Sequence, residues 1–474
     1  MWAGSTSLND EAGRENYRGE DLVMCGIAGA FNGTEATVVT MLDRIEHRGP
    51  DGRGLSQHDE ALHGHVRLSL VDLTDASAQP FHHQGTTLTF NGEIWNHREI
   101  RQASPTTYRT KGDTEALADL LHRKGIEGLN ELDGMFAFAW SCEGQHWLVR
   151  DPFGKIPLYI AKTKTGYLWA SERKAFPRSL KPIAVPPGHA FNLKTGEWFA
   201  YYKLPRQAPA EPKSLLGLLE QGVNKRLEAD APVCCLISGG LDSSIILALA
   251  KQRSQDVTAF TATFDKDSTD LAAARRLCSD LEVNLIEVPV EISADLTNQA
   301  IESIEIASKA QIEIAMLCLP LAQRIAAEGF KACLSGEAAD ELFGGYGNFC
   351  IKASKLSGAP LLELRRQQLA KMSRGNFVRC NKAFMAAGVE CRLPFMEQQL
   401  VEMAVNLDKK DSPLAKGLLK KATEGILPKW IIKRQKETFQ GASGVSTAIA
   451  AQIASPTIFY NNELRKQFGY LPKD

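Results

Sequence analysis

Apolar positions keep a different rhythm in the two halves of the chain. Beyond residue 230, short unbroken apolar runs alternate with longer stretches of helical period. Val233 to Ile237 has no polar residue, which predicts a buried strand. Ser238, Gly239 and Gly240 interrupt it. Leu241 to Lys251 then places Ile245 and Leu249 four apart, on one face of a predicted helix. The same reading predicts strands at 257–264, 284–288 and 331–334, and helices at 214–227, 271–280 and 312–327. Strand and helix in alternation predict a parallel, doubly wound sheet with ligands at the strand carboxyl ends. Earlier in the chain, the residues after Met24 and those from Leu132 to Trp140 read as apolar strands.

The turn between the Val233 strand and its helix carries chemistry. The first helical N–H groups have no partner within the helix and lie at the positive end of its dipole. Two glycines let an anion approach the backbone, and Ser238, Ser243 and Ser244 add hydroxyls. This predicts a phosphate cradle. It is not of the Walker type, because no Gly-Lys-Ser/Thr follows. A plain glycine turn is the bland alternative.

Composition narrows the classes. A length of 474 residues predicts two or three domains, and 44% hydrophobic residues supports ordinary cores. A formal net charge of −1 supplies no long-range field for nucleic acid or an anionic membrane. No apolar run reads as long enough to span a bilayer. The ten cysteines are scattered without C-x-x-C spacing, as expected in a reducing cytoplasm. All ten histidines lie between His47 and His189, so any metal in the second half needs carboxylates and phosphates, which suits Mg2+. His47, His63, His65, His82 and His83 lack helical or Cys-linked ligand spacing and read as structural.

Residues 1–24 read as a polar leader, disordered or removed. From Cys25 onward, MCGIAGAF, HRGPDG (47–52), RLSLVD (67–72), FNGEIWNH (90–97) and GDTE (112–115) follow in order. Together they resemble the class II glutamine amidotransferase domain, expected over 25–203. The resemblance implies an N-terminal-nucleophile fold, an αββα sandwich. It makes Cys25 the nucleophile and its α-amine the base, forming a thioester with glutamine. It makes the Asn91 side chain and the Gly92 N–H the oxyanion donors. Arg67 then clamps the glutamine α-carboxylate, and Glu93 and Asp113 receive its α-amine. Taken singly, Arg67 reads equally well as a surface ion pair, Asp113 as a helix N-cap, and Asn91-Gly92 as a hairpin turn. A retained leader would block the α-amine of Cys25.

Leu204 to Pro212 contains three prolines and reads as a linker, 204–213, before a second domain at 214–474. There SGGLDSS resembles the pyrophosphate loop of ATP pyrophosphatases. LSGEAADELFGGY (334–346), ECRLPFME (390–397), the Lys416 to Ala422 segment and RQKETF (434–439) resemble asparagine synthetases. The resemblance implies ATP and Mg2+ as cofactors. It assigns Leu236, Ser238, Gly239, Gly240, Asp242, Ser243, Ser244, Phe264 and Gly336 to ATP or pyrophosphate, and Asp242 and Asp340 to the metal. Glu337 falls to the reacting carboxylate or ammonia, and Lys436 to phosphate charge. Three carboxylates within five residues would repel unless Mg2+ or a lysine intervenes.

The implied activity is glutamine-dependent synthesis of asparagine from aspartate and ATP, with ammonia carried internally. Glutamine, ATP and aspartate are the expected small-molecule partners, and a homodimer is compatible with the sequence. Three departures stand out. Ala338 replaces a glycine, Glu397 replaces an aspartate, and Glu313 falls where the family has a cation. A glutamate facing the acceptor would repel its α-carboxylate, which motivates a different acceptor acid or a non-catalytic relative.

Overall fold

The computed structural model describes residues 25–49, 51–67, 74–206, 211–408, 415–434, 449, 453 and 455–472. The leader and Lys436 lie outside the described residues, as do 68–72 of the RLSLVD motif and part of the linker.

Twelve strands build the N-terminal half: β1 (Gly26–Phe31), β2 (Gly52–His58), β3 (Ala61–Arg67), β4 (Phe81–His83), β5 (Thr86–Ile94), β6 (Gly134–Cys142), β7 (Gln145–Arg150), β8 (Tyr159–Lys162), β9 (Tyr167–Ala170), β10 (Ile183–Ala184), β11 (His189–Asn192) and β12 (Trp198–Ala200). They form two antiparallel sheets, ordered β10-β8-β9-β1-β3-β2 and β12-β11-β7-β6-β5-β4. β1, β5 and β6 are buried on both faces, because the sheets pack on each other and each also carries a helix. Ile27, Phe31, Met135, Ala137 and Trp169 fill the space between the sheets. The Glu35–Asp43 helix covers the first sheet through Val38, Met41 and Leu42. The Asp113–Lys124 helix covers the second through Leu117, Leu120 and Leu121. This is the expected αββα sandwich.

The C-terminal half is built on β13 (Val233–Leu236), β14 (Thr258–Thr263), β15 (Asn284–Pro289), β16 (Ala332–Leu334) and β17 (Glu390–Arg392), all parallel, in the order β15-β14-β13-β16-β17. The strand order reverses between β13 and β16, the place where open α/β sheets bind ligands. One face packs on the Leu241–Arg253 helix, whose residues Ser243 to Ala250 are all buried. The other packs on the Lys309–Ala327 helix. Contrary to the expectation that no run is long enough, this 19-residue helix is long and apolar enough to cross a membrane by length and composition alone. Its buried Ile312, Met316, Leu319 and Ile325 make it a core helix, and Pro320 lies inside it.

The halves are joined by buried charge. Glu305 accepts the N–H groups of Arg173 (2.9 Å) and Lys174 (2.7 Å) and pairs with Lys382. Tyr202 donates to Glu402 at 2.9 Å. Lys225 reaches Asp133 of the N-terminal half at 2.5 Å, and Glu397, the substituted aspartate, binds Lys225 (2.8 Å) and Arg226 (2.7 Å) behind it. Its added methylene thus serves a structural ion pair.

Candidate active sites

Cys25 stands immediately before β1 and is half-buried. Its carbonyl accepts Arg48 Nε at 3.3 Å. The same guanidinium donates to Glu172 (2.6 Å) and, across the halves, to Asn381 Oδ1 (3.0 Å). Asn91 and Gly92 lie within β5, paired with Ala137 and Phe136 of β6. The hairpin-turn reading therefore fails, because the ladder continues through both residues to Ile94. Gly92 is required for another reason. Its φ is +133°, and a Cβ would come within 2.0 Å of Met135 O. Asn91 is fully buried, and its Nδ2 reaches Ser171 Oγ at 3.5 Å, a bond long enough to leave the amide available. That hydroxyl also accepts the N–H of Ile27 at 3.0 Å, two residues after the thiol.

Arg67 closes β3, donates to Thr74 O at 2.8 Å and lies 4.0 Å from Asp75. Its side chain is only 10% exposed, while Asp75 is fully exposed, so the surface-pair alternative stays open. Asp113 is the first residue of its helix and Gly112 is the cap, so the N-cap reading is displaced by one. Asp113 Oδ2 accepts the N–H of Ile94 at 2.9 Å, and burial raises its pKa. Glu93 is also buried. Arg392, from the C-terminal half, donates to it at 3.1 Å. Burial pushes Glu93 well above the usual carboxylate range; Arg392 opposes this, and Glu390 and Asp113 add to it. Glu93 thus already has a partner across the halves.

A cavity of about 780 Å³ opens at the carboxyl ends of β13, β14 and β16. Leu236, Ser238, Gly240, Asp242, Ser243, Phe264, Gly336, Glu337 and Asp340 line it, as expected. Gly239 and Ser244 do not. Gly239 turns the chain at φ +74°, where a Cβ would meet Asp270 O at 2.3 Å. Ser244 is buried and donates back to Gly240 O at 2.7 Å, so its hydroxyl serves its own helix rather than a phosphate. Ser238 and Ser243 share a hydrogen bond at 3.1 Å inside the turn.

The expected carboxylate repulsion is relieved by two cations to which the motifs alone assign no role. Lys416 Nζ sits between Asp242 (2.5 Å) and Asp340. It adopts the left-handed conformation at φ +62°. Burial would lower its pKa, but the two aspartates raise it. Arg379, on the Asn376–Met385 helix, pairs with Glu337 and donates to Gln311 Oε1 at 2.7 Å. Asn376 bridges Glu337 (2.7 Å) and Glu341 (2.9 Å). Burial, then the charge of Glu337, pushes Glu341 up to about 7. Arg434 and Lys420 also line the cavity, and Arg434 donates to Gly239 O at 3.2 Å. Two aspartates facing a cavity beside a serine-rich turn fit a hard divalent cation bound with phosphate oxygens.

Glu313 does not face this cavity. It is buried, paired with Lys309 at 2.6 Å, while its neighbours Gln311 and Ile314 line the wall. The repulsion expected against an acceptor acid is absent, and Arg379 supplies a cation there instead.

Comparisons with known proteins agree with this two-site arrangement. The glutamine amidotransferase domain family matches residues 24–190, and the asparagine synthase family matches 214–363 and 354–457. The chain is 31% identical to a probable glutamine-hydrolysing asparagine synthetase of Dictyostelium discoideum, covering 95% of this chain and 90% of that protein. It is 33% identical to asparagine synthetase B of Escherichia coli (89% and 83% covered) and 32% identical to the Zea mays enzyme (89% and 78%). With both domain families matched in order and most of each relative covered, the chain belongs to the glutamine-hydrolysing asparagine synthetase family.

Proposed function

We propose that the chain converts L-aspartate, L-glutamine and ATP to L-asparagine, L-glutamate, AMP and pyrophosphate. The Cys25 thiol attacks the glutamine amide carbon, its proton passing to the Cys25 α-amine. Asn91 Nδ2 and the Gly92 N–H receive the oxyanion. Collapse expels ammonia, and water then hydrolyses the thioester to glutamate. Arg67 and Asp113 hold the two ends of the amino-acid backbone. Glu93 joins them once it is released in part from Arg392. A free amine at Cys25 requires removal of the preceding residues, and N-terminal sequencing of the active protein reads this directly.

In the second site an aspartate carboxylate oxygen attacks the α-phosphorus of ATP, and pyrophosphate leaves. Ammonia then attacks the acyl carbon and AMP departs. The 238–243 turn binds phosphate oxygens, and Phe264 and Leu236 offer apolar surface to the base. Arg379 suits the aspartate α-carboxylate, and Glu337 stands where the ammonia proton is lost. Asp242 and Asp340 would hold Mg2+, which neutralises the leaving pyrophosphate when bound.

One observation carries the pairing of the two reactions. Cys25 packs against Ala231, Ala332 and Met385, at the amino-terminal ends of β13 and β16. The carboxyl ends of these same strands open into the cavity. The three residue steps of β13 span about 10 Å. Between the sites lie Cys234 and Cys333, whose thiols burial pushes up, Cys333 to about 11. A route past these small, uncharged side chains would suit neutral ammonia. All ten cysteines are free, which fits a reducing cytoplasm.

The direct test is incubation with ATP, Mg2+, glutamine and aspartate, followed by assay of all four products. Glutamate formed without asparagine, or AMP formed with another acid but not with aspartate, would reject this assignment.

A further inference from the structure

The hairpin of β2 and β3 ends at His58-Asp59-Glu60-Ala61, with Asp59 in the left-handed region at φ +49°. The side chains of Asp59 and Glu60 are half exposed. Behind them stands His146 of β7, from the other sheet, with no exposed surface. Its Nδ1 shares a hydrogen bond with Ser141 Oγ at 2.8 Å, and that hydroxyl shares one with His63 Nε2 at 2.7 Å. Burial lowers the pKa of both rings. If His146 Nδ1–H donates to Ser141, the Ser141 O–H can donate to His63 Nε2. His146 Nε2 then turns a lone pair toward the hairpin tip.

That Nε2 is buried and has no hydrogen-bond partner among the described residues. Other buried histidine nitrogens also lack one, so the weight falls on the two carboxylates gathered at this nitrogen. Glu60 Oε2 lies 3.5 Å away, beyond the usual ~2.9 Å of an N–H···O bond. Two metal–ligand bonds of ~2.1 Å at a tetrahedral angle separate their donors by ~3.4 Å. The observed spacing matches a shared ion rather than a hydrogen bond. Ligand atoms of Asp59, Glu60 and His146 all lie within 4.8 Å of one another, and the two acidic side chains are free to close on an ion. His58 flanks the tip but lies outside that group. Its Nδ1 is held by Thr87 Oγ1 at 2.8 Å, and its Nε2 is 3.9 Å from Asp59 Oδ2.

We propose that Asp59, Glu60 and His146 form a binding site for a divalent transition metal of the Zn2+ class. The mixture of imidazole and carboxylate favours such an ion over Mg2+ or Ca2+, which prefer oxygen ligands alone. Ser141 fixes the His146 ring as an outer partner. The ion clamps the hairpin tip of the first sheet to β7 of the second. Six residue steps of β2 place the tip about 20 Å from the end where Arg67 lies, so the role is structural and not catalytic.

The test uses the full chain, stripped with chelator and titrated with Co2+ and then with competing Zn2+. One equivalent is expected, with weak visible bands and no intense near-ultraviolet thiolate band, so a cysteine site is distinguished. D59N/E60Q keeps side-chain size, and Asn tolerates the left-handed position. It is expected to weaken Zn2+ binding at least about 100-fold and to abolish any Zn2+-induced rise in melting temperature. S141A is expected to weaken binding about 10-fold. Glutaminase and pyrophosphate-release rates of D59N/E60Q stay at the unsubstituted level. No stoichiometric binding, a thiolate spectrum, or unchanged affinity in D59N/E60Q would overturn the proposal.

Discussion

Replacing Lys416 by methionine removes the ammonium that separates Asp242 from Asp340. A unit charge 4 Å from another is worth about 4 kcal/mol at an effective dielectric of 20. Two such attractions hold Lys416, against the cost of burying it. Deleting one member of a buried ion pair costs about 3–5 kcal/mol, because the partner stays buried and charged. Here the aspartate side chains remain 20% and 19% exposed, so water softens the loss to about 2–3 kcal/mol. The folded pKa of Lys416 lies above its unfolded value. Its stabilisation is therefore complete below about pH 10 and lost only as pH rises past the folded value. Between pH 6 and 9 the deficit of K416M should not vary. Loss of a charge partner at the phosphates should slow pyrophosphate release about 100-fold or more. The assay pairs denaturant unfolding at pH 7 with pyrophosphate release on ammonium chloride, and uses glutaminase turnover as the control for folding. Unchanged stability together with unchanged pyrophosphate release would refute the reasoning.

Three further substitutions follow from the same geometry. Gly92→Ala drives a methyl into Met135 O and is expected to cost about 3 kcal/mol in denaturant melts and to remove glutaminase activity, while ammonia-dependent synthesis persists if the chain folds. Glu341 has a folded pKa of about 7, above the unfolded ~4.3, so its contribution is full at acid pH and fades as pH rises through 7; E341Q should remove a loss of about 2–3 kcal/mol between pH 5 and 8. Ala338 is held at φ +82°, and A338G should raise stability by about 1 kcal/mol in the same melts, since glycine adopts that conformation without strain.

Local chemistry is legible in the sequence where one segment supplies it whole. The strand, glycine turn and helix around Ser238 to Ser244 are contiguous, so residue order alone locates the cradle. The two-sheet sandwich follows from motif order, not from periodicity, because strands buried on both faces lose their alternation. Lys416 is out of reach of such reasoning. It meets Asp242 only through a left-handed residue 174 positions away. Arg379 is hidden likewise, in a helix that no recognised motif covers. Glu313 misleads because sequence position does not tell which side of the Lys309–Ala327 helix faces the cavity. Ser244 shows the converse limit: a hydroxyl at the expected place bonds to its own backbone. The Asp59, Glu60 and His146 cluster has no sequence spacing to recognise, since pairing across two sheets assembles it.

The central claim is that nitrogen released at Cys25 reaches the cavity along the β13 and β16 strands without mixing with solvent. Glutamine labelled with 15N in its side-chain amide, supplied with excess unlabelled ammonium, measures this through the isotopic content of the asparagine formed. Transfer inside the protein yields asparagine that keeps most of the glutamine label at every ammonium concentration that leaves glutamine turnover intact. Label diluted in proportion to the bulk ammonium would contradict it.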